Sequence, residues 1–534
     1  MMMIRIYLYS LAIFLFTVQI LGQNNFRIFP STVTQTEPIV IISKTDSNLF
    51  FASSVTINTG NGFKSEGIYI STNGGLNWFG SDTCYGQSII NHGGDPGVIL
   101  TLNNKLVLTH MGSVFPGVYS HYSTDYGNTW SNANTLTSQQ TDDKGTSIMD
   151  DNQSSPYYGR IYSSFVKLIS PYPIYFTHSD DEALNWSTPF IINPSPARRC
   201  IGPSIVIDKN GKLFVCWASI TATAPFFEDY VSFASSTDGG STWQNISNIF
   251  DVNGIYGTLP EKGGIRVNGL PRIAIDKSAG SRSGWLYIVT TDKNISPAGS
   301  DADIVLHRST DGGLTWSEGI RINQDEKNNG KIQYFPAIDI DTNGGINIIY
   351  YDDRNTSSDS AEIFLSRSTD GGETWSDRVI SDHKFKPKPV VGGSSNFQGD
   401  YITLIANGRK LYCYWMDDFS GLYQVWSKII DIPTSVNDER PDLQPNEFTL
   451  SQNFPNPFNP NTTIEYKLPG NGNINLKIYD ITGREIATLI NEYKNAGSYK
   501  VNFTLDGLNL ASGVYFYRLA FNGVSETRPM ILLK

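Results

Sequence analysis

An eight-residue pattern recurs from Ser71 to Trp375, and any fold for this chain has to give six copies of it equivalent surroundings. Its clearest copy is Ser309-Thr310-Asp311-Gly312-Gly313-Leu314-Thr315-Trp316. Counted back from each Trp, Ser stands at minus seven, Asp or Asn at minus five and Gly at minus three. The same places are held by Ser71, Asn73, Gly75 and Trp78, by Ser123, Asp125, Gly127 and Trp130, by Ser236, Asp238, Gly240 and Trp243, and by Ser368, Asp370, Gly372 and Trp375. A further copy keeps Ser179, Asp181 and Trp186 but has Ala183 for Gly, so its turn is expected to be built differently. The pattern reads as a hairpin turn in which Asp accepts turn amides, Gly takes positive φ and Trp folds back onto apolar surface. Nothing in it does chemistry, so Asn73, Asp125, Asp181, Asp238, Asp311 and Asp370 are assigned structural roles.

A second repeat precedes each box: an apolar run, Asp or Asn with Gly, and another apolar run, the signature of a two-strand hairpin. Ser204–Trp217 and Ala337–Tyr350 show it best, and others begin near Ile39, Gly97, Thr146, Arg272 and Tyr401. A third strand, the box and a short fourth strand follow; the seventh unit, ending at Ser427, lacks a box. Four strands recurring without amphipathic helices predict an all-β chain folded as a β-propeller. The eight-residue pattern resembles the Asp-box, or bacterial neuraminidase repeat, of sialidase-like propellers, where it joins the third and fourth strands of a blade. Seven four-stranded blades are expected; sialidases of this kind have six, which would make one unit an insertion. The strand near Phe26–Phe29 is expected to close the ring by completing the last blade.

After Ile432 a polar, Pro-bearing linker over 433–446 leads to a small β-sandwich of immunoglobulin-like type at 447–534. That segment closely resembles the C-terminal sorting domain of type IX secretion cargo, on the strength of Asn453-Phe454-Pro455-Asn456-Pro457-Phe458-Asn459-Pro460, Tyr479-Asp480-Ile481-Thr482-Gly483-Arg484, Leu510–Tyr515 and the terminal Met530–Lys534. The resemblance implies export across the outer membrane, with the type IX machinery as partner. Met1–Gly22, with Arg5 before a nearly apolar run, reads as a signal peptide rather than a membrane anchor, which leaves 23–432 as the propeller and an extracellular or surface location. The net charge of −11, with no basic block, argues against nucleic acid and for a neutral or cationic partner. The four cysteines make no disulfide scaffold; Cys216 and Cys413 read as buried thiols, while a Cys84–Cys200 bridge stays open.

Boxes and first hairpin turns belong to one face of such a propeller, and ligands to the other, around the axis. Aligning the second strands places Asp292, Asp352 and Asp417 at equivalent ends of three successive units, followed by Asp353, Arg354 and Asp418. Inter-blade loops add Arg198, Arg199, Lys262, Arg266, Gln333, Tyr334 and Asp400. Carboxylates, guanidinium groups and tyrosines there suit a sugar, so Asp292, Asp352, Arg354, Asp417, Arg199, Arg266 and Tyr334 are the expected ligand contacts. Asp352, Asp353, Arg354, Arg266 and Tyr334 are the catalytic candidates; the alternative is an Asp–Arg network that fixes loops. The sialidase resemblance implies three arginines on a sugar carboxylate, a Tyr nucleophile with its Glu, and an Asp acid/base. Arg27, in Phe26-Arg27-Ile28-Phe29-Pro30, is a loose counterpart of the first arginine, Arg266 and Arg354 stand for the others, and no Tyr–Glu pair can be placed. No metal motif is apparent among the six histidines and no cofactor is expected, though loop Asp residues could hold structural calcium. The chain is therefore expected to recognise or hydrolyse extracellular glycans, or else to act as a non-catalytic adhesin.

Overall fold

The computed structural model describes residues 24–84, 92–113, 116–138, 142–193, 198–224, 226–255, 257–393, 396–432, 448–453, 455–494, 497–505 and 510–533. The signal segment and the linker fall outside these residues. The chain divides into two compact units, Met1–Ile432 and Pro433–Lys534.

Among the described residues of the first unit, seven antiparallel sheets of four strands each cover 34–81, 94–137, 142–191, 199–251, 272–321, 333–379 and 403–431, beside a two-stranded pair, Gly257–Leu259 with Ile265–Val267; the last of the seven takes Phe26–Arg27 as its outermost strand. They are numbered 1 to 7 in that order. Within sheets 1 to 6 the strands follow chain order from the inside out, because each links to the next by a hairpin, and sheet 7 does so for its inner three strands. The first strands neighbour one another from sheet 1 round to sheet 7, and that of sheet 7, Thr403–Asn407, packs against that of sheet 1, Thr34–Ile42. The ring is thereby closed, and each innermost strand presents only a short edge, facing the axis. Strands such as Leu213–Ile220 and Ile346–Asp352 are buried at every position, as expected of sheets covered on both faces.

The boxes sit between third and fourth strands and share one geometry. In the box of sheet 5, the Gly313 amide donates to Ser309 Oγ at 2.8 Å, Ser309 Oγ donates to Asp311 Oδ1 at 2.8 Å, and the amides of Leu314 and Thr315 donate to the same carboxylate oxygen at 3.0 Å. These bonds outweigh the cost of partial burial and hold the Asp311 carboxyl down at about 2. Four of the five box glycines are pressed against the preceding sheet, at the residue three before that sheet's box serine, whereas Gly75 meets Phe50 and Tyr412. A Cβ on Gly313 would lie 2.4 Å from the Phe233 ring, one on Gly240 2.3 Å from Phe176, one on Gly127 2.9 Å from Ile68 and one on Gly372 3.2 Å from Leu306.

The sixth box is not built differently, as the sequence suggests it should be. Ala183 itself adopts φ 65° and, fully buried, makes the glycine's bond to Ser179 Oγ at 2.9 Å. The reason lies in the neighbouring sheet, where the corresponding residue is Ser120 rather than a ring or branched chain. Trp186 Nε1, which in four boxes donates to the glycine carbonyl, here donates to Ser120 Oγ at 2.8 Å. The four cysteines are buried free thiols, so no Cys84–Cys200 bridge forms.

The second unit pairs a three-stranded sheet (Thr449–Leu450, Asn461–Leu468, Gly497–Thr504) with a four-stranded one (Glu485–Lys494, Gly472–Tyr479, Gly513–Phe521, Val524–Leu532) over a single core that includes Ile464, Tyr466, Leu476, Ile478, Tyr517 and Leu519. Strict alternation of burial along Asn461–Leu468 marks one dry and one wet face. The Asn-Pro-rich opening clamps the final strand: the Phe458 amide donates to the Ile531 carbonyl and that of Leu533 to the Phe458 carbonyl, at 2.9 and 3.1 Å.

Gly313→Ala is expected to cost about 1–3 kcal/mol, because it adds both a clash and a strained φ. Ala183→Gly should change stability by less than about 1 kcal/mol. Urea unfolding of the two variants checks the difference.

Candidate functional site

The innermost strands carry a repeated irregularity. In sheets 1, 2, 3, 4 and 6 the register slips near the start of the first strand, so that two residues face one: Glu37-Pro38 faces Ser54, Asp95-Pro96 faces His110, Lys144-Gly145 faces Phe165, Gly202-Pro203 faces Trp217 and Phe335-Pro336 faces Tyr350. Proline cannot donate to the ladder, and the extra residue turns the chain at the axis. Glu37 (φ 54°), Asp95 (φ 52°) and Phe335 (φ 51°) are held in the left-handed region, which side-chain-bearing residues rarely enter.

A cavity of about 270 Å³ opens at this level, on the face away from the boxes. Four carboxylates line it, Glu37, Asp95, Asp143 and Asp400, with the cations Arg266 and Lys64, the amide of Asn268, and an apolar side that includes Val55, Leu270 and Phe397. Arg266, 29 % exposed, pairs with Asp400 and lies 5.4 Å from the Phe397 ring centre. Asn268 Nδ2 donates to Asp400 Oδ1 at 3.2 Å, and the Asp400 amide donates to Glu37 Oε1 at 3.0 Å. Beside this cluster is Tyr401, fully enclosed, with the Arg272 guanidinium 5.9 Å from its ring centre. Burial, reinforced by the charges of Glu37 and Asp95, pushes the Tyr401 phenol well above its usual range. It thus stays a protonated hydroxyl at any working pH, able to donate a hydrogen bond.

Of the residues expected from sequence, Arg266 and Asp400 line this cavity. The others do not, for reasons of depth. Asp352 is fully buried and held by Arg354, whose amide and Nε donate to it at 2.7 and 2.8 Å; burial still raises its carboxyl to about 6. Arg354 also pairs with Asp377 at 2.7 Å and lies 4.3 Å from the Phe364 ring centre. Asp353 is paired with Lys262 at 2.7 Å, both fully buried. Asp417 accepts from Trp415 Nε1 at 2.7 Å and contacts His383 Nε2 at 2.9 Å. Asp292 ends its strand buried beside Glu228, with Oδ1 lacking a hydrogen-bond partner, and burial raises it to about 7. Tyr334 lies wholly in the core, stacked on Tyr351 with ring centres 4.9 Å apart. The Arg199 guanidinium sits between Tyr172 and Phe226, 4.5 and 4.6 Å from their ring centres. Arg27 belongs to the outermost strand of sheet 7, over Trp426, three strands away from the axis. Asp352 and Arg354 thus form an Asp–Arg network that fixes loops, while Asp353 is held by Lys262 and Asp417 by Trp415 and His383.

Sequence reasoning missed Glu37, Asp95, Asp143 and Tyr401. The signal was present in the dipeptides Glu37-Pro38, Asp95-Pro96, Gly202-Pro203, Leu270-Pro271 and Phe335-Pro336, each at the head of a first strand. It also missed a grouping of Glu66, His92 and His110, all buried, whose possible metal-ligating atoms lie within 4.8 Å of one another. Their separation along the chain matches no short motif.

Residues 452–533 match the family of secretion system C-terminal sorting domains. This match indicates type IX export to the cell surface or the extracellular space. Among the described residues no helix is long and apolar enough to cross a membrane. Comparison with curated proteins gives no match. Among solved structures, a polysaccharide lyase of family PL25, an ulvan lyase, superposes with a TM-score of 0.50 at 10% identity, covering 76% of this chain and 96% of its own. A Hadza microbial sialidase aligns with a TM-score of 0.39 at 13% identity, over 72% of this chain and 74% of its own. A leech intramolecular trans-sialidase gives 0.41 at 13%, over 68% and 70%. The likeness establishes the fold: the first unit is a β-propeller, and its structural neighbours include glycan-active enzymes.

Asp352→Ala leaves Arg354 partly unpaired in a buried setting and should cost about 3–5 kcal/mol without changing the occupancy of the cavity by any ligand. Thermal unfolding and ligand binding by the folded fraction check this. Asp292 titrates from about 4 unfolded to about 7 folded, so it binds a proton more tightly in the folded state. Its contribution is complete below pH 4 and is lost as pH rises towards 7. Asp292→Asn should flatten that part of the stability profile, measured by urea unfolding across the range.

Proposed function

We propose that the propeller receives extracellular glycans in the axial cavity and hydrolyses them, using the carboxylates of Glu37 and Asp95 with the Tyr401 hydroxyl beside them. The observation that supports this is the pair of left-handed bulges. Two acidic residues on neighbouring sheets are held in a strained backbone conformation and line one cavity, and such strain persists where the surroundings enforce it for a purpose. Glycoside hydrolysis needs one carboxyl to protonate the leaving oxygen and a second to serve as base or nucleophile. The apolar side formed by Leu270 and Phe397 offers a surface for a sugar ring.

Four carboxylates against two cations favour a neutral or cationic sugar. A sialic acid would need several guanidinium groups at its carboxylate, and Arg266 is the arginine among the cavity's described lining. A second reading, capture without cleavage, is favoured by the commitment of Asp400 to Arg266 and Asn268. The full-length protein on a glycan array, with parallel hydrolysis assays, separates the two. Glu37→Gln and Asp95→Asn should each lower turnover by about 10²–10⁴ while leaving the melting temperature nearly unchanged. Binding that survives with no turnover in wild type identifies an adhesin, and an array without any bound or cleaved glycan rules out both.

A further inference from the structure

We propose that Glu66, His92 and His110 form a binding site for one divalent transition ion, zinc in the first place, which clamps sheet 1 to sheet 2. Glu66 comes from the third strand of sheet 1, Phe63–Ser71, His110 from the second strand of sheet 2, Leu106–Met111, and His92 from the segment entering sheet 2. Their side chains are at most 3 % exposed. Each offers one ligand atom, and the three atoms lie within 4.8 Å of one another. A tetrahedral ion with bonds of about 2.0–2.1 Å sets its ligands about 3.3 Å apart, so small side-chain rotations bring the set into register.

A further observation points to an ion rather than to a self-contained polar cluster. His110 Nδ1 lies 2.8 Å from the Met111 carbonyl, which can only accept; the proton is therefore on Nδ1, and Nε2 carries its lone pair. That Nε2 is buried and has no hydrogen-bond partner, which is costly for a polar atom unless something fills the place. Glu66 is completely buried, and its carboxylate accepts from the Gly94 amide at 3.1 Å and contacts His92 Nδ1. A carboxylate and two imidazoles in a dry site suit a borderline ion such as zinc and suit calcium poorly.

The position gives the ion a consequence for the cavity. The Gly94 amide donates to Glu66 Oε1 at 3.1 Å, and His110 faces the Asp95-Pro96 bulge directly across the ladder. Fixing Glu66 and His110 fixes the two supports of the backbone that presents Asp95. The ion would be a structural clamp one layer behind the cavity wall, and its presence does not depend on which glycan, if any, the cavity takes.

The test uses the full-length protein, purified without a polyhistidine tag and without chelators. Elemental analysis should find about one zinc per chain, either as isolated or after zinc is added and excess removed. Stripping with dipicolinate should lower the melting temperature and zinc should restore it, as for any ligand bound only by the folded state. Cobalt loaded into the stripped protein should show the visible absorption of a tetrahedral nitrogen and oxygen site. His92→Ala and His110→Ala should each weaken zinc binding about 100-fold or more, while His178→Ala, in sheet 3, should not. Should either variant fail to fold, the cobalt spectrum of the wild type decides. Wild-type protein that takes up neither zinc nor cobalt at micromolar concentration, or His92→Ala and His110→Ala proteins that both bind as wild type does, would overturn the proposal.

Discussion

Everything that converges on the axis depends on one closure, the pairing of the chain's beginning with its last sheet. Phe26 and Arg27 lie opposite Ser427 and Trp426, the Ile28 amide donates to the Val425 carbonyl at 3.0 Å, and the Gln35 and Gln424 side chains exchange bonds with the adjoining backbone. Asn25 reaches further, to the Ile380 carbonyl and to Asp382 in the segment after sheet 6. These contacts join residues nearly 400 positions apart, so their entropic cost is met only once the intervening sheets have formed. Without them the third strand of sheet 7, Gln424–Asp431, would be an open edge. The wall made by Glu37 and Asp400, one from each side of the seam, would then have no counterpart.

Two repeated devices divide the work between the outside and the inside of the ring. On the rim, box tryptophans and glycines press each sheet on the one before it, and the serine–aspartate pair locks the turn that carries them. At the centre, bulges break the ladder and turn side chains towards the axis. The first device tolerates little variation, because its glycine sits against a ring or a branched chain; Ala183 survives by virtue of Ser120. The second tolerates much, since the position before proline is Glu, Asp, Gly, Leu or Phe in different sheets. A repeat whose structural half is fixed and whose axial half is variable can acquire a site without altering the fold.

The fold class, the hairpin units and the strand that closes the ring were legible because they follow from local periodicity and turn chemistry. The site was not, and the error is instructive. Asp352 and Asp417 do occupy equivalent places, and each accepts the amide two residues on, Arg354 at 2.7 Å and Phe419 at 3.0 Å. The alignment had found a turn that terminates second strands. Its carboxylates look exposed in a sequence because they follow an apolar run, yet neighbouring sheets cover them. The bulges were overlooked for the opposite reason: a single X-Pro step within an apolar strand reads as an interruption, and only its recurrence in register shows it to be designed. Glu66, His92 and His110 meet because sheets 1 and 2 are adjacent in a closed ring, which no local pattern encodes.

The distribution of buried charge explains why the cavity favours one side of the ring. In the neighbourhood of sheets 5 to 7, Lys262 with Asp353, Arg321 with Asp303 and Asp325, and Arg354 with Asp352 and Asp377 are paired within the protein. Such pairs gain little over apolar packing, but losing one partner strands the other, so they act as locks on loop conformation. With those loops locked, Asp353 and Arg354 cannot turn to a ligand without leaving a buried opposite charge behind. Glu37 and Asp95, from sheets 1 and 2, instead reach the cavity from bulges whose backbone is already bent towards it, and Asp143 reaches it from the position before the bulge of sheet 3. The side of the ring rich in ion pairs thus serves as a rigid back wall, and the side rich in bulges presents the chemistry.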